Sequence, residues 1–280
     1  MLYYYNEDNT ELQFDDDYNE LLDNFIFPDT ILTLKFGTRF NQPLDNITFP
    51  SRLQIIYFDN NFNQSLDNVS FPESLHTMTI GHKFNQSLHT IHSLRTLIFG
   101  YGHCEWPIKI TFPDYLENIT LGFNFNQLLD DVIFPKNLTT LIFGYWFDKS
   151  IDKVKFPENL SVITFGCWFN QSLDNVRLPE NLSVITFGKT FNQSLDKVRL
   201  PSSIHTIIFG CCFTASIDNL PLSIEKLTLY SIQTDITNLP PSLKILKITH
   251  HNPNRFLKKL KKIPYGCKIL DGTNNEIIKN

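Results

Sequence analysis

No run of about 18 apolar residues occurs anywhere in the chain, which excludes a membrane-spanning helix. The opening residues, Met1-Leu2-Tyr3-Tyr4-Tyr5-Asn6-Glu7-Asp8, contain neither a basic stretch nor an apolar core, so a secretory leader is not expected. Basic charge is not in excess: 24 Lys and Arg face 29 Asp and Glu, a formal net charge of −5. That balance lacks the footprint of a general nucleic-acid binder, and no nucleic-acid partner is expected. The five cysteines are odd in number and irregular in spacing. They argue for reduced thiols in an intracellular, cytoplasmic protein, not for a disulfide framework. Glycine is scarce, at 11 of 280 residues. Phenylalanine is abundant instead, at 25.

The phenylalanines recur with a period. Phe-Asn-Gln-Ser-Leu-Asp-Asn returns with little change at Phe40, Phe62, Phe84, Phe125, Phe169 and Phe191, with looser copies from Tyr18, Phe147 and Phe213. The starts fall 22 residues apart except for the unit 84–102, which has 19 residues and lacks the Val-x-Phe-Pro portion. A fixed period of this length is the mark of a stacked repeat array. The array runs over residues 18–212, preceded by a capping half-unit at 1–17 and followed by divergent leucine-rich units and a cap at 213–280.

The second half of each unit alternates, as in Leu53-Gln54-Ile55-Ile56-Tyr57-Phe58, which marks a strand with Ile56 and Phe58 on one face and Ile55 and Tyr57 on the other. The first half holds proline, Asn and Asp without a helical period. It predicts turns and short 3₁₀ pieces, with Leu66, Val69 and Phe71 pointing inward. One unit cannot bury its apolar side, but stacked units can. Stacking turns each repeat position into a column. Phe40, Phe62, Phe84, Phe125, Phe147, Phe169, Phe191 and Phe213 form one, and Phe27, Phe49, Phe71, Phe112, Phe134 and Phe156 a second. The column Asn41, Asn63, Asn85, Asn126, Asn170, Asn192 is expected to form a ladder on backbone groups.

With Phe62-Asn63-Gln64-Ser65-Leu66 followed by Phe71-Pro72, and Phe169-Asn170-Gln171-Ser172-Leu173 followed by Leu178-Pro179, the units resemble FNIP repeats, a relative of leucine-rich repeats. The resemblance implies a leucine-rich-repeat-like solenoid with one long parallel β-sheet, short turns and 3₁₀ segments on the other side, and little α-helix. It also implies a setting in social amoebae or in giant viruses that infect amoebae, where some relatives carry an F-box and serve ubiquitin ligases. That helical module is not expected here, since 17 residues precede the first unit. Any link to ubiquitination would run through a separate adaptor.

The column Asp23, Asp45, Asp67, Asp130, Asp152, Asp174, Asp196, Asp218 lacks the glycines of calcium-binding rolls and reads as solvated turns. His103-Cys104 and Cys211-Cys212 are adjacent pairs whose side chains would diverge on an extended chain. Cys167 and Cys211 lie two units apart, beyond disulfide reach. No G-x-S-x-G, G-x-x-x-x-G-K or H-E-x-x-H occurs. No catalytic residue, metal or cofactor is therefore expected, and an enzyme is the remote alternative.

Arg255, Lys258, Lys259, Lys261 and Lys262 fall on a short basic segment in which Phe256, Leu260 and Ile263 keep helical spacing. It is expected to cap the last turn, the alternative being contact with a membrane surface or an acidic partner. The remaining surface is the open sheet face with Tyr57. Beside it, just past the strands, lie Tyr101, Phe123, Tyr145, Trp146 and Trp168. Aromatics gathered at an exposed rim are usual interface anchors. The reading is a non-catalytic, monomeric scaffold that binds a protein partner through these residues. Trp106-Pro107 breaks the consensus nearby.

Overall fold

The computed structural model describes residues 2–102 and 111–278, so His103, Cys104, Trp106 and Pro107 lie outside the described residues. The chain divides into two compact units, Met1–Gln127 with Val132–Gly144 and Leu128–Asp131 with Tyr145–Asn280.

Unit 1 contains β1 (Tyr3–Tyr5), β2 (Glu11–Phe14), β3 (Thr33–Lys35), β4 (Ile55–Tyr57), β5 (Thr77–Ile80), β6 (Thr96–Phe99), β7 (Asn118–Thr120) and β8 (Thr140–Ile142). From β2 to β8 each strand pairs in parallel with the next, one repeat on, in unbroken register: Ile55 meets Thr77 and Ile56 meets Met78. β1 turns back on β2 in antiparallel fashion. Unit 2 contains β9 (Val162–Thr164), β10 (Val184–Thr186), β11 (Thr206–Ile208), β12 (Lys226–Leu229), β13 (Ile245–Ile248), β14 (Lys268–Leu270) and β15 (Glu276–Ile278). β9 to β14 are parallel in chain order, and β15 is antiparallel to β14. This is a leucine-rich-repeat-like solenoid with a parallel sheet and little helix. The alternation predicted from sequence holds: Ile56 and Phe58 are buried, while Ile55 and Tyr57 are half-exposed on the open face.

The rest of a 22-residue unit is spent on three β-turns closed by an N–H(i+3) to O(i) bond, as in several of the described units. In one unit these are Gly166–Phe169, Leu173–Val176 and Pro179–Leu182, at 3.4, 3.0 and 3.1 Å. In the first turn the backbones approach closely: a Cβ on Gly188 would sit 1.9 Å from the Gly166 carbonyl oxygen, which leaves room only for hydrogen.

The predicted Phe column stacks face to face at about one unit's spacing, with Phe40–Phe62 at 6.0 Å, Phe62–Phe84 at 6.1 Å and Phe169–Phe191 at 6.1 Å. A further column at the strand ends interleaves with it: Phe58 lies 4.0 Å from Phe62 and Phe187 lies 3.9 Å from Phe191. Each ring is buried, and each contributes roughly 1.5–3 kcal/mol by transfer from water. The Asn ladder is also present, the amide oxygen of Asn41 accepting from the Asn63 N–H at 2.8 Å and that of Asn63 from the Asn85 N–H at 2.8 Å.

Three expectations need correction. Leu66 points inward as predicted, but Val69 and Phe71 are only half-buried; Ile91 follows Val69 in the short unit, while Phe71 has no phenylalanine after it. The basic segment is not an α-helix but a 3₁₀ helix, Pro253–Lys259, followed by Leu260 in extended conformation. Leu260 leaves the helical path because its strand-like neighbours bond to Ile236: the Ile236 N–H donates to Lys259 O at 2.8 Å, and the Lys261 N–H to Ile236 O at 2.9 Å. Finally, Cys211 and Cys212 do not lie on an extended chain. They are the two central residues of the turn Gly210–Phe213.

Candidate functional site

The turn that follows each strand carries two central residues out of the sheet plane, and these two positions form the rim. In the first units of unit 1 the rim is polar. Arg39 pairs with Asp17 at 3.1 Å, and the His82 ring nitrogen Nδ1 meets Asn60 Oδ1 at 3.0 Å. Later in unit 1 it becomes aromatic: Tyr101 is 84% exposed and lies 5.8 Å from the ring of Phe123.

In unit 2 the rim opens with Tyr145, Trp146 and Trp168. The two indoles stack at 5.1 Å with planes 9° apart, and Tyr145 meets Trp146 edge-on at 5.4 Å. Trp146 is 42% exposed and Trp168 44%. The rings pack on one another. The Tyr145 hydroxyl is bonded to the Cys167 thiol, which pushes the phenol above its ordinary value, with the Trp168 indole N–H working in the opposite sense. The stack is held from below by the backbone, the Trp168 N–H donating to Tyr145 O at 3.1 Å. The rim continues through Lys189 and Thr190 to Cys211 and Cys212.

Tyr57 is not part of this rim. It lies on the open sheet face in β4, with Lys35 Nζ 5.5 Å from its ring centre and Lys35 itself paired to Glu11 at 2.6 Å. The basic residues are partly drawn inward. Lys259 donates to the Gln233 carbonyl, Lys261 pairs with Asp235 at 3.1 Å, and the Arg255 guanidinium lies 5.0 Å from the ring of buried Phe256. Lys258 and Lys262 are exposed.

Hydrolytic chemistry has one look-alike among the described residues. Ser87 Oγ is 2.6 Å from His89 Nδ1, and Asp67 Oδ1 is 3.9 Å from the same nitrogen. A relay needs nucleophile and carboxylate on opposite ring nitrogens, and here both sit at one, in solvent. The Asp67, Asp152, Asp174 and Asp196 side chains are exposed turn residues. No group of three or more His, Cys, Asp or Glu among the described residues is placed to hold a metal ion. No helix among them is long and apolar enough to cross a membrane.

Sequence reasoning named the rim aromatics but missed a notch in unit 1 lined by Phe71, Ile91, Arg95 and Tyr115, with a volume of about 500 Å³. The signal available for it was the three-residue shortfall of the unit 84–102.

Comparison with solved structures gives the circular leucine-rich-repeat protein CroV588, 26% identical over 92% of this chain with a TM-score of 0.45; this chain spans about half of CroV588, 49%. The internalin InlF of Listeria monocytogenes is 13% identical over 93% of this chain and 79% of its own, with a TM-score of 0.52, a likeness of fold. No curated protein matches the chain. The FNIP repeat family model matches residues 40–83, 62–102, 106–145, 125–167 and 169–212, more than half of the chain. The interleaved Phe columns, the Asn ladder and the three-turn unit are thus the three-dimensional form of that repeat, and the chain belongs to the FNIP repeat family.

Proposed function

We propose that the chain is a non-catalytic scaffold that binds a protein partner, with Tyr145, Trp146 and Trp168 as the anchors. The observation that carries this reading is the stacked indole pair, each ring more than two-fifths exposed on the turn rim of unit 2. Large rigid rings left in water supply contact area at small entropic cost, and Trp and Tyr dominate interface energetics. Tyr101 and Phe123 offer a similar surface in unit 1. The family resemblance makes an amoeba or a virus replicating in one the setting in which to look for the partner.

The test is capture of a partner from amoeba lysate by the wild type beside Tyr145→Ala/Trp146→Ala/Trp168→Ala, followed by calorimetry with the purified partner. The expected loss is about 2 kcal/mol or more, roughly thirtyfold in affinity, with an unchanged circular dichroism spectrum. Equal affinity in a folded variant would move the binding surface elsewhere.

A further inference from the structure

The second Phe column is interrupted in unit 1, and the interruption is a cavity. Phe27 stacks on Phe49 at 6.0 Å and Phe49 on Phe71 at 5.2 Å. Beyond the break, Phe112 stacks on Phe134 at 6.3 Å. Between Phe71 and Phe112 the column has no member, because the 19-residue unit passes from Ile91 to Leu94 through one tight turn, closed by the Leu94 N–H on Ile91 O at 3.2 Å. The aligned stretch of the preceding unit, Val69 to Leu75, contains Phe71-Pro72-Glu73, and these are the residues lost.

The consequence shows in burial. Phe27, Phe49, Phe112 and Phe134 are all at or below 8% exposure, whereas Phe71 is half-buried with one face toward the notch; Phe156 in unit 2 is half-buried as well. The notch of about 500 Å³ lies beside that face, within the range of roughly 300–1,000 Å³ usual for binding sites. Arg95 Nη1 lies 3.0–3.2 Å from the carbonyl oxygens of His92, Ser93 and Leu94, and the guanidinium lies 5.3 Å from the Tyr115 ring centre.

We propose that this notch is a docking site for a partner peptide that presents a phenylalanine, the Phe-Pro pair missing from the short unit being supplied by the partner. The argument for that occupant is the column itself. Phe27, Phe49, Phe71, Phe112 and Phe134 are each followed by proline, so the vacant place has the dimensions of a Phe-Pro step and a phenyl face already waiting on one side. The site is distinct from the turn rim and does not depend on it.

The probe is acetyl-Ser-Phe-Pro-Glu-amide, observed by saturation-transfer NMR at millimolar concentration against the full chain, with the Ala analogue of the peptide as control. The expected result is saturation of the phenyl protons, at least fivefold weaker when Phe-Pro-Glu is inserted between His92 and Ser93 to restore a 22-residue unit. The inserted variant is also expected to melt at a higher temperature than the wild type, because it covers Phe71 from within. Should the insertion not fold, Phe71→Ala serves in its place, with the same fivefold loss expected. No phenyl saturation with the wild type, or equal saturation in the folded variant, or equal saturation of the proline protons of both peptides, would overturn the proposal.

Discussion

Asn170 uses one oxygen to hold two neighbours. Its Oδ1 accepts the Asn192 N–H at 2.9 Å and the Gln193 amide at 3.1 Å. One unit earlier the same place is taken by Asp148, whose carboxylate oxygen accepts from the Asn170 N–H at 2.9 Å and from Gln171 at 2.8 Å. The ladder therefore demands an acceptor and tolerates either amide or carboxylate. Asn170→Asp is expected to leave urea stability nearly unchanged, while Asn170→Ala costs about 1 kcal/mol by stranding a backbone N–H. If both substitutions cost the same, the amide's own donors carry the column. The ladder was legible in the sequence because Asn recurs at 22-residue spacing. The Asp substitution carries the same geometry yet is invisible to a pattern that counts only Asn.

At the scale of elements, the C-terminal turns depart most from the repeat and depend most on pH. Burial works to raise the Asp218 carboxyl, but the N–H groups of Thr237 and Asn238 and the Thr237 hydroxyl outweigh it and hold the group below its ordinary value. These bonds tie the turn before β12 to the turn before β13. Because the folded value is the lower one, the unfolded chain binds more protons between the two, and the stabilisation is complete above the ordinary value near 3.8 and lost as pH falls through the folded one. His250 adds the same sign at milder acidity. Burial, then the His251 and Arg255 charges, lower its value, so protonation opposes folding as pH falls below about 6.5. Unit 2 is thus expected to lose stability in two steps on acidification. Asp218→Ala should reduce the lower step, which the lowered carboxyls of Glu225 and Asp271 share, and His250→Phe should remove the upper, as read by denaturant melts at stepped pH. A flat profile in the wild type would contradict both.

The same region shows why part of the fold was not readable. Phe256, Leu260 and Ile263 have helical spacing, but the competing bond network to Ile236 takes Leu260 out of the helix, and no local pattern announces a partner more than twenty residues away. The notch was half-readable. The missing Phe-Pro could be counted in the sequence, but which side chain it leaves uncovered follows only from the order of stacking. The rim aromatics could be placed just past each strand, whereas the pairing of Trp146 with Trp168 needed the turn geometry that brings successive second positions over one another.

For the whole molecule the governing quantity is the period, since every column exists only if units enter in phase. Unit 2 offers a direct test. Deleting residues 169–190 joins Trp168 to Phe191 and brings each column back into register, because exactly one 22-residue repeat is removed. The shortened chain is expected to fold with the same parallel sheet and a lower denaturant midpoint, having lost one repeat and one nearest-neighbour interface. Deleting 169–179 removes half a unit and sets strand residues against turn residues, so Ile185 no longer has Ile163 beside it in the ladder. That chain is expected to lose the β signal of unit 2 in circular dichroism, although it is eleven residues longer than the first. Length and composition predict the opposite order. If the half-unit deletion were the more stable of the two, stacking in register would not be what holds the array together.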